Sequence, residues 1–387
     1  MNIKLLAQTE EVGHKNSTLE DHLTFVGKVG GVCYMPDTFE TLASQEREKH
    51  LKRAINCVKS GHHSITGHVY KTFLLEGIPK ICAMILNSVN CYDTSEKSAR
   101  YTVMKSDGED YKLYEKWRER FEDMISETYP NLDKAKVKKL ALENARYMLS
   151  IFTPTTMVYT VNLRTLNYII DWCEKLKSYK DESPMYCKLY EEMNKVASEL
   201  SRLAKIENLE DTKHQQFKLL NPNESLAKSQ NEYFGTCYTT TYKCSLAIYA
   251  HLIRHRTATY TAYFDGHSKD FYLPPIFEKY PQFVYEWYTD ITSIANLTPQ
   301  GTIVTVRETG TLENFILKCY ERECGCAQVE IQRLTQSVHE RYEQSCCLTE
   351  EEQTLLKKYA KKVKCGYENT TCKTPCNWGI KSKERLV

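Results

Sequence analysis

The sequence predicts an α+β chain built twice, with two tandem copies of a central sheet flanked by helices and the second copy shortened. Three observations predict it. Segments of the first half are echoed, in order, in the second. Short β-branched or aromatic runs sit beside longer stretches of helical periodicity, without the strict alternation of a parallel α/β sheet. No Gly-rich phosphate loop is present, so a nucleotide phosphate would have to be held by arginines and helix ends.

Taken in order, the N-terminal Ile3-Lys4-Leu5-Leu6 reads as a short strand, not as the apolar run of a signal peptide. Its echo is Phe217-Lys218-Leu219-Leu220. Tyr70 to Phe73, then the helical stretch Ile81 to Leu86, is echoed by Tyr238 to Tyr242 and a helix from Ser245 to Ile253. Thr156 to Val161 and Thr302 to Val306 read as strands, and Lys136 to Leu149, Leu312 to Glu321 and Ala327 to Val338 as helices. Asn162 to Leu166 matches Thr311 to Phe315. The stretch equivalent to about residues 15–65 is nearly absent from the second copy. These matches place a first repeat at 1–205, a charged linker at 206–214, a second repeat at 215–345 and a basic, Cys-containing tail at 346–387.

A net charge of +2 over 387 residues argues against a nucleic-acid polymer as partner and leaves room for local basic pockets. No apolar run is long enough to cross a membrane. Sixteen cysteines without a secretory signal read as reduced thiols, so a cytoplasmic location is expected. The tail cysteines Cys365, Cys372 and Cys376, with Cys346 or Cys347, miss the usual zinc spacings, and no metal is expected.

The residues able to carry chemistry are divided between the copies. Arg254-His255-Arg256 sets two fixed charges and a histidine behind the apolar run Leu246 to Ala250, where they need water or an anion as partner. The first copy offers Glu96, Ser98, Ala99, Arg100 and Tyr101, together with His62, Ser64 and His68, then Arg146, Asn162 and Arg164. The second adds His251 and Arg322, followed by Ala327, Gln328, Glu330 and Ile331. Each group taken alone has a plain structural reading, as a helix end, a cap or a solvated face. Their shared order does not.

That ordered set, running to about Tyr342, resembles the flavin-dependent thymidylate synthases. The family signature is Arg-His-Arg, seven residues, then Ser-Gly-Arg-Tyr, with a Glu two places before the Ser. The second copy keeps the Arg-His-Arg but has Phe264 for the Ser and Ala262 for the Glu. The first keeps Glu96, Ser98, Arg100 and Tyr101 but has Ser88-Val89-Asn90 in place of Arg-His-Arg. Gly67 replaces the Glu of the family's His-x-Ser-x-x-Glu-His segment, and Cys173 stands where a substrate arginine belongs. The second copy keeps that arginine as Arg322, has Thr311 and Glu313 at the Asn-x-Arg pair, and has Ile294 opposite Arg146. Each copy has lost what the other kept.

The resemblance implies methylation of dUMP to dTMP, with FAD as cofactor and methylenetetrahydrofolate and NADPH as co-substrates. By the same resemblance Arg254, His255, Arg256 and Arg322 carry the chemistry. Glu96, Ser98, Ala99, Arg100, Arg146, His251 and Arg322 would bind the pyrimidine deoxynucleoside monophosphate. His62, Ser64, Asn162, Arg164, Arg254, His255 and Arg256 would hold the flavin. No base is indicated beside Ser98, so it reads as a phosphate or backbone ligand and not as a nucleophile. Ordinary family members are homotetramers, which implies a homodimer for a fused chain. Two other readings stand beside this one: a sibling transferring another one-carbon group such as hydroxymethyl, and a non-catalytic nucleotide- or flavin-binding paralogue.

Overall fold

The computed structural model describes residues 1–89, 91–104, 107–179, 183–210, 231–254, 256–264, 266, 268–360, 362–367, 372 and 376–387. In chain order the first elements are β1 (Asn2–Gln8), α1 (Leu19–Gly31), α2 (Phe39–Ala43), α3 (Arg47–Lys59), β2 (Tyr70–Pro79), α4 (Lys80–Leu86) and β3 (Tyr92–Glu96). There follow α5 (Glu109–Thr128), α6 (Lys134–Ala145), β4 (Pro154–Asn162), α7 (Leu163–Lys175) and α8 (Pro184–Ala204). The rest are β5 (Tyr233–Phe234), β6 (Cys237–Ser245), α9 (Leu246–Arg254), β7 (Thr259–Tyr263), α10 (Val284–Ser293), β8 (Ile303–Thr311), α11 (Leu312–Arg322), α12 (Val329–Glu343) and α13 (Glu350–Tyr359). They pack as two units, Met1–Lys97 with Pro154–Phe217, and Ser98–Thr153 with Lys218–Val387. Among the described residues no helix is long and apolar enough to cross a membrane.

The first unit is built on an antiparallel sheet of order β1-β2-β4-β3. Period-two burial sets its inner face: Phe73 and Leu75 on β2, Met157, Tyr159 and Val161 on β4. Helical spacing sets the layer that covers it, with Leu163, Leu166, Ile169 and Ile170 on α7 and Leu189, Met193, Val196 and Leu200 on α8. Asn167 ties this layer to the chain beyond α8, donating to the Ala204 carbonyl at 3.0 Å and accepting from the Ile206 amide at 2.7 Å. Ile206 and Leu209, in the segment expected to be linker, are accordingly buried, while residues 211–214 lie outside the described residues. Gly77, with φ +69°, takes the left-handed conformation that the bulge between Glu76 and Ile78 requires.

The second unit repeats the strand order as β5-β6-β8-β7, also antiparallel throughout. In both sheets a helix leaves the second strand (α4, α9) and another leaves the fourth (α7, α11). The matched residues Asn162 and Thr311 are both N-caps, accepting from the amides of Thr165 and Asn314. The shortening of the second copy is also plain, since two residues separate β5 from β6 whereas α1, α2 and α3 intervene between β1 and β2. The expected echo of β1 at 217–220 lies outside the described residues, and the described edge strand is Tyr233–Phe234.

Sequence repeat and packing unit do not coincide. The segment 98–153 belongs to the first repeat by sequence but packs in the second unit. Trp117 and Phe121 on α5 meet Phe277 and Trp287 in one aromatic core. Further along, the amides of Gln300 and Gly301 donate to the carbonyls of Leu149 and Tyr147 at 2.7 and 2.9 Å, and Ile151 donates to Thr298 at 2.9 Å. Burial of an aromatic cluster and pairing of otherwise orphaned backbone groups both favour this arrangement. The C-terminal tail also folds back here. Arg385 is buried and donates to the carbonyls of Gly325 and Ala327 and to the Gln332 side chain.

Gly301 permits that close approach. A Cβ there would stand 2.9 Å from Ile291 and 3.1 Å from the Tyr147 carbonyl. Gly301→Ala is expected to destabilise the protein by about 1–3 kcal/mol, as overpacking does. Urea denaturation checks this, and unchanged stability would show that the segment is held otherwise.

Candidate functional site

Within the second unit, three arginines that the sequence places far apart are joined by hydrogen bonds. Arg146 follows directly on α6, in a single 3-10 turn held by the backbone bonds just described. Its guanidinium donates to Gln328 Oε1 at 2.5 Å, to the Ala247 carbonyl at 3.3 Å and to His251 Nε2 at 3.3 Å. Arg322, the last residue of α11, donates to the carbonyl of the same His251 at 3.0 Å. Arg100 pairs with Glu143 and donates to the carbonyl of Cys326 at 3.0 Å, in the loop between α11 and α12. Gln328, the N-cap residue of α12, holds the cluster from below through Tyr147 Oη at 2.6 Å. Glu330 accepts from Tyr147 Oη at 2.7 Å and from the Ser245 amide and hydroxyl at 2.8 Å.

Positive charge exceeds negative charge in this cluster. Arg146 and Arg322 are almost wholly buried, and among the described residues Glu143 is the one carboxylate that bonds to any of the three arginines. Burial lowers the proton affinity of Arg322 to about 10, with nearby Arg100 and Arg254 adding to the effect. Burial and Arg100 likewise lower that of Arg146. On Arg100 burial is the largest influence and acts downward too, but the charge of Glu143, the neighbouring Tyr101 and the hydrogen bond to Glu143 together outweigh it and the net shift is upward. Burial raises the proton affinity of Glu330 from its ordinary value. The Nε of Arg146 is buried without a hydrogen-bond partner. A buried cationic excess of this kind is relieved by an anion with several acceptor oxygens, such as a phosphate.

Other expected residues fall as follows. Ser98 accepts from the Arg100 amide at 3.3 Å, fixing the turn that delivers Arg100. The side chain of Ala99 packs on the aromatic core. Glu96 lies in the first unit, with its carboxylate engaged by Lys80 at 2.5 Å and Asn87 at 3.3 Å. Arg254 ends α9, half-buried, and Arg256 is exposed with a left-handed φ of +52°. His255 lies outside the described residues.

In the first unit, the 3-10 turn His63–His68, which follows His62 and carries Ser64, packs on α7, which begins at Asn162 and Arg164. The Leu163 amide donates to the Val69 carbonyl at 2.8 Å, and His63 Nδ1 bonds Tyr168 Oη at 2.9 Å. Asn162 uses its Oδ1 as the cap of α7, which leaves its amide donors to offer. His62 Nδ1 bonds Tyr34 Oη at 2.5 Å, and Tyr34 lines a cavity of about 640 Å³ with Lys49, Lys52 and Arg53.

Sequence reasoning did not single out Glu143, Tyr147 or Ser245. A signal existed for the first, since Glu143 and Arg146 stand three residues apart at the end of one helix. The partnerships of Tyr147 and Ser245 with Glu330 depend on contacts distant in sequence.

The family model of the thymidylate synthase complementing proteins matches residues 17–213, half of the chain, and the chain belongs to that family. The flavin-dependent thymidylate synthase of Pyrococcus furiosus is 28% identical over 153 residues, which cover 36% of this chain and 60% of that protein. The enzyme of the same name from Thermococcus onnurineus is 30% identical over 146 residues, covering 35% and 57%. The chain thus spans about 60% of the length of the curated relatives it matches. Among solved structures, thymidylate synthase X of Helicobacter pylori, crystallised with FAD and dUMP, shares 16% identity over 56% of this chain and 96% of that one, with a TM-score of 0.32.

Proposed function

We propose that this protein methylates dUMP to dTMP in a flavin-dependent reaction, binding the nucleotide phosphate at the arginine cluster of its second unit. The observation that carries the reading is the set of Arg100, Arg146 and Arg322, largely buried with a single bonded carboxylate among the described residues. A nucleoside monophosphate is a dianion with three acceptor oxygens, and guanidinium forks match it in charge and geometry. Family membership supplies the pyrimidine and the flavin. Ser98 and His251 would complete the nucleotide's contacts. Bound reduced flavin would supply the hydride, methylenetetrahydrofolate the carbon and NADPH the electrons.

The donor set of the first unit fits a flavin dinucleotide. Ser64 and Arg164 could meet its phosphates, His62 and the Asn162 amide its polar edges, and the basic cavity beside Tyr34 is compatible with an anionic cofactor. Arg254, His255 and Arg256 are proposed as further flavin contacts and as the groups that balance charge on the reacting rings. A homodimer, equivalent to four ordinary copies, is the proposed assembly. A reducing cytoplasm suits the sixteen cysteines.

Calorimetric titration with dUMP and absorption titration with FAD test this together. The expected result is saturable binding of both, followed by dTMP formation when methylenetetrahydrofolate and NADPH are added. Binding without turnover would favour the non-catalytic paralogue, a product heavier than dTMP the hydroxymethyl sibling, and no binding of either ligand would overturn the assignment.

A further inference from the structure

Behind Arg322, on the side of its helix that faces α12, three chemically reactive groups converge. Cys319 and Glu323 stand four residues apart at the end of α11, and His339 faces them from α12. All three are buried, and their ligand atoms lie within 4.8 Å of one another. His339 Nδ1 is 2.6 Å from Glu323 Oε1 and 3.6 Å from Cys319 Sγ. The other ring nitrogen, Nε2, is 3.2 Å from the carbonyl of Leu356 on α13.

Donor counting shows what this arrangement lacks. A carbonyl oxygen only accepts, so Nε2 carries the hydrogen, and in a neutral ring Nδ1 then presents a lone pair. That lone pair faces a carboxylate oxygen, another acceptor, at a distance neither tolerates without positive charge between them. The second carboxylate oxygen, Glu323 Oε2, is buried without a hydrogen-bond partner among the described residues. Either a proton held between the ring and the carboxylate or a metal ion bridges the two acceptors. The unpartnered Oε2 and the convergent sulfur favour the ion, because a ring proton serves neither.

We propose that Cys319, Glu323 and His339 bind a divalent transition-metal ion, zinc being the one this sulfur, oxygen and nitrogen set suits. Three protein ligands are what a zinc site with one further position requires. The Nε2–H bond to Leu356 is the outer contact that orients a metal-binding imidazole. To admit the ion in tetrahedral geometry, Nδ1 and Oε1 must part by roughly 0.7 Å. Once there, it fastens the end of α11 to α12 directly, and to α13 through the His339 ring. Arg322 adjoins Glu323 in sequence, so the ion acts as a structural clamp behind the arginine cluster.

The test uses the full chain, stripped with a chelator and titrated with Co²⁺. One equivalent is expected to bind, with the near-ultraviolet charge-transfer band of a cobalt–thiolate bond and a rise in melting temperature. Cys319→Ser should abolish the band, whereas the triple variant Cys365→Ser, Cys372→Ser, Cys376→Ser should keep it. Absence of the band from the unmodified chain overturns the proposal, and so does its survival in Cys319→Ser or its loss in the tail variant alone. Should Cys319→Ser fail to fold, ¹⁵N spectra of the histidines in the unmodified chain decide the matter. An imidazolium at His339 that persists in excess Zn²⁺ overturns the site, and a metal-shifted Nδ1 supports it.

Discussion

Arg322→Ala is expected to weaken dUMP binding by about 2–5 kcal/mol, the usual result of removing one partner from a dehydrated charge pair. Among the described residues Arg322 makes one hydrogen bond, to the His251 carbonyl, and no described carboxylate pairs with it. Its removal therefore leaves no buried anion behind, and the fold should tolerate it. Arg100→Ala acts differently, because Glu143 loses its cation and part of the cost appears as lower stability. If both arginines meet one phosphate, the double variant should bind about as weakly as the worse single variant, since groups of one site act as a unit. Calorimetric titration of the four proteins settles it. Strictly additive losses would show that the residues do not share a ligand, and the composite site would fall with that result.

The second large effect is on stability. Lys318 on α11 and Glu308 on β8 form an ion pair at 2.5 Å, with side chains 1% and 0% exposed. Tyr238 and Tyr242 donate their hydroxyls to the same carboxylate at 2.5 and 2.6 Å. Lys318→Ala strands Glu308 in the core without a countercharge, at an expected cost of about 3–5 kcal/mol. The double variant Lys318→Met, Glu308→Gln should recover much of it, because it removes both charges and retains an acceptor for the tyrosines. Chemical denaturation measures both, and a loss below about 1 kcal/mol for Lys318→Ala would mean that water reaches the pair.

The same tyrosines fix an alkaline limit. Burial, followed by the charge of Glu308, raises Tyr238 and Tyr242 well above the ordinary tyrosine value. A raised folded-state value gives stability that is complete below the unfolded pKa, about 10, and is lost as pH climbs from there toward the folded value. Stability should therefore decline above about pH 10, and less steeply in Tyr242→Phe.

Local chemistry made much of this protein legible in its sequence. Alternating burial in Thr156 to Val161 and the helical period of Leu312 to Glu321 depend on neighbours a few residues away, and each appears where the pattern puts it. Order along the chain also identified Arg100, Arg146 and Arg322 as members of one set, though not how they meet. That was decided by tertiary structure. The aromatic stripe of α5 finds its complement in Phe277 and Trp287, and the turn from Thr298 to Gly301 bonds the backbone around Tyr147, so a segment of the first repeat settles in the second unit. Both interactions join residues more than a hundred positions apart, and periodicity carries no information about such partners. The division of the site residues between repeats is written in the sequence, whereas the assembly of three arginines around one excess of buried charge follows from long-range packing.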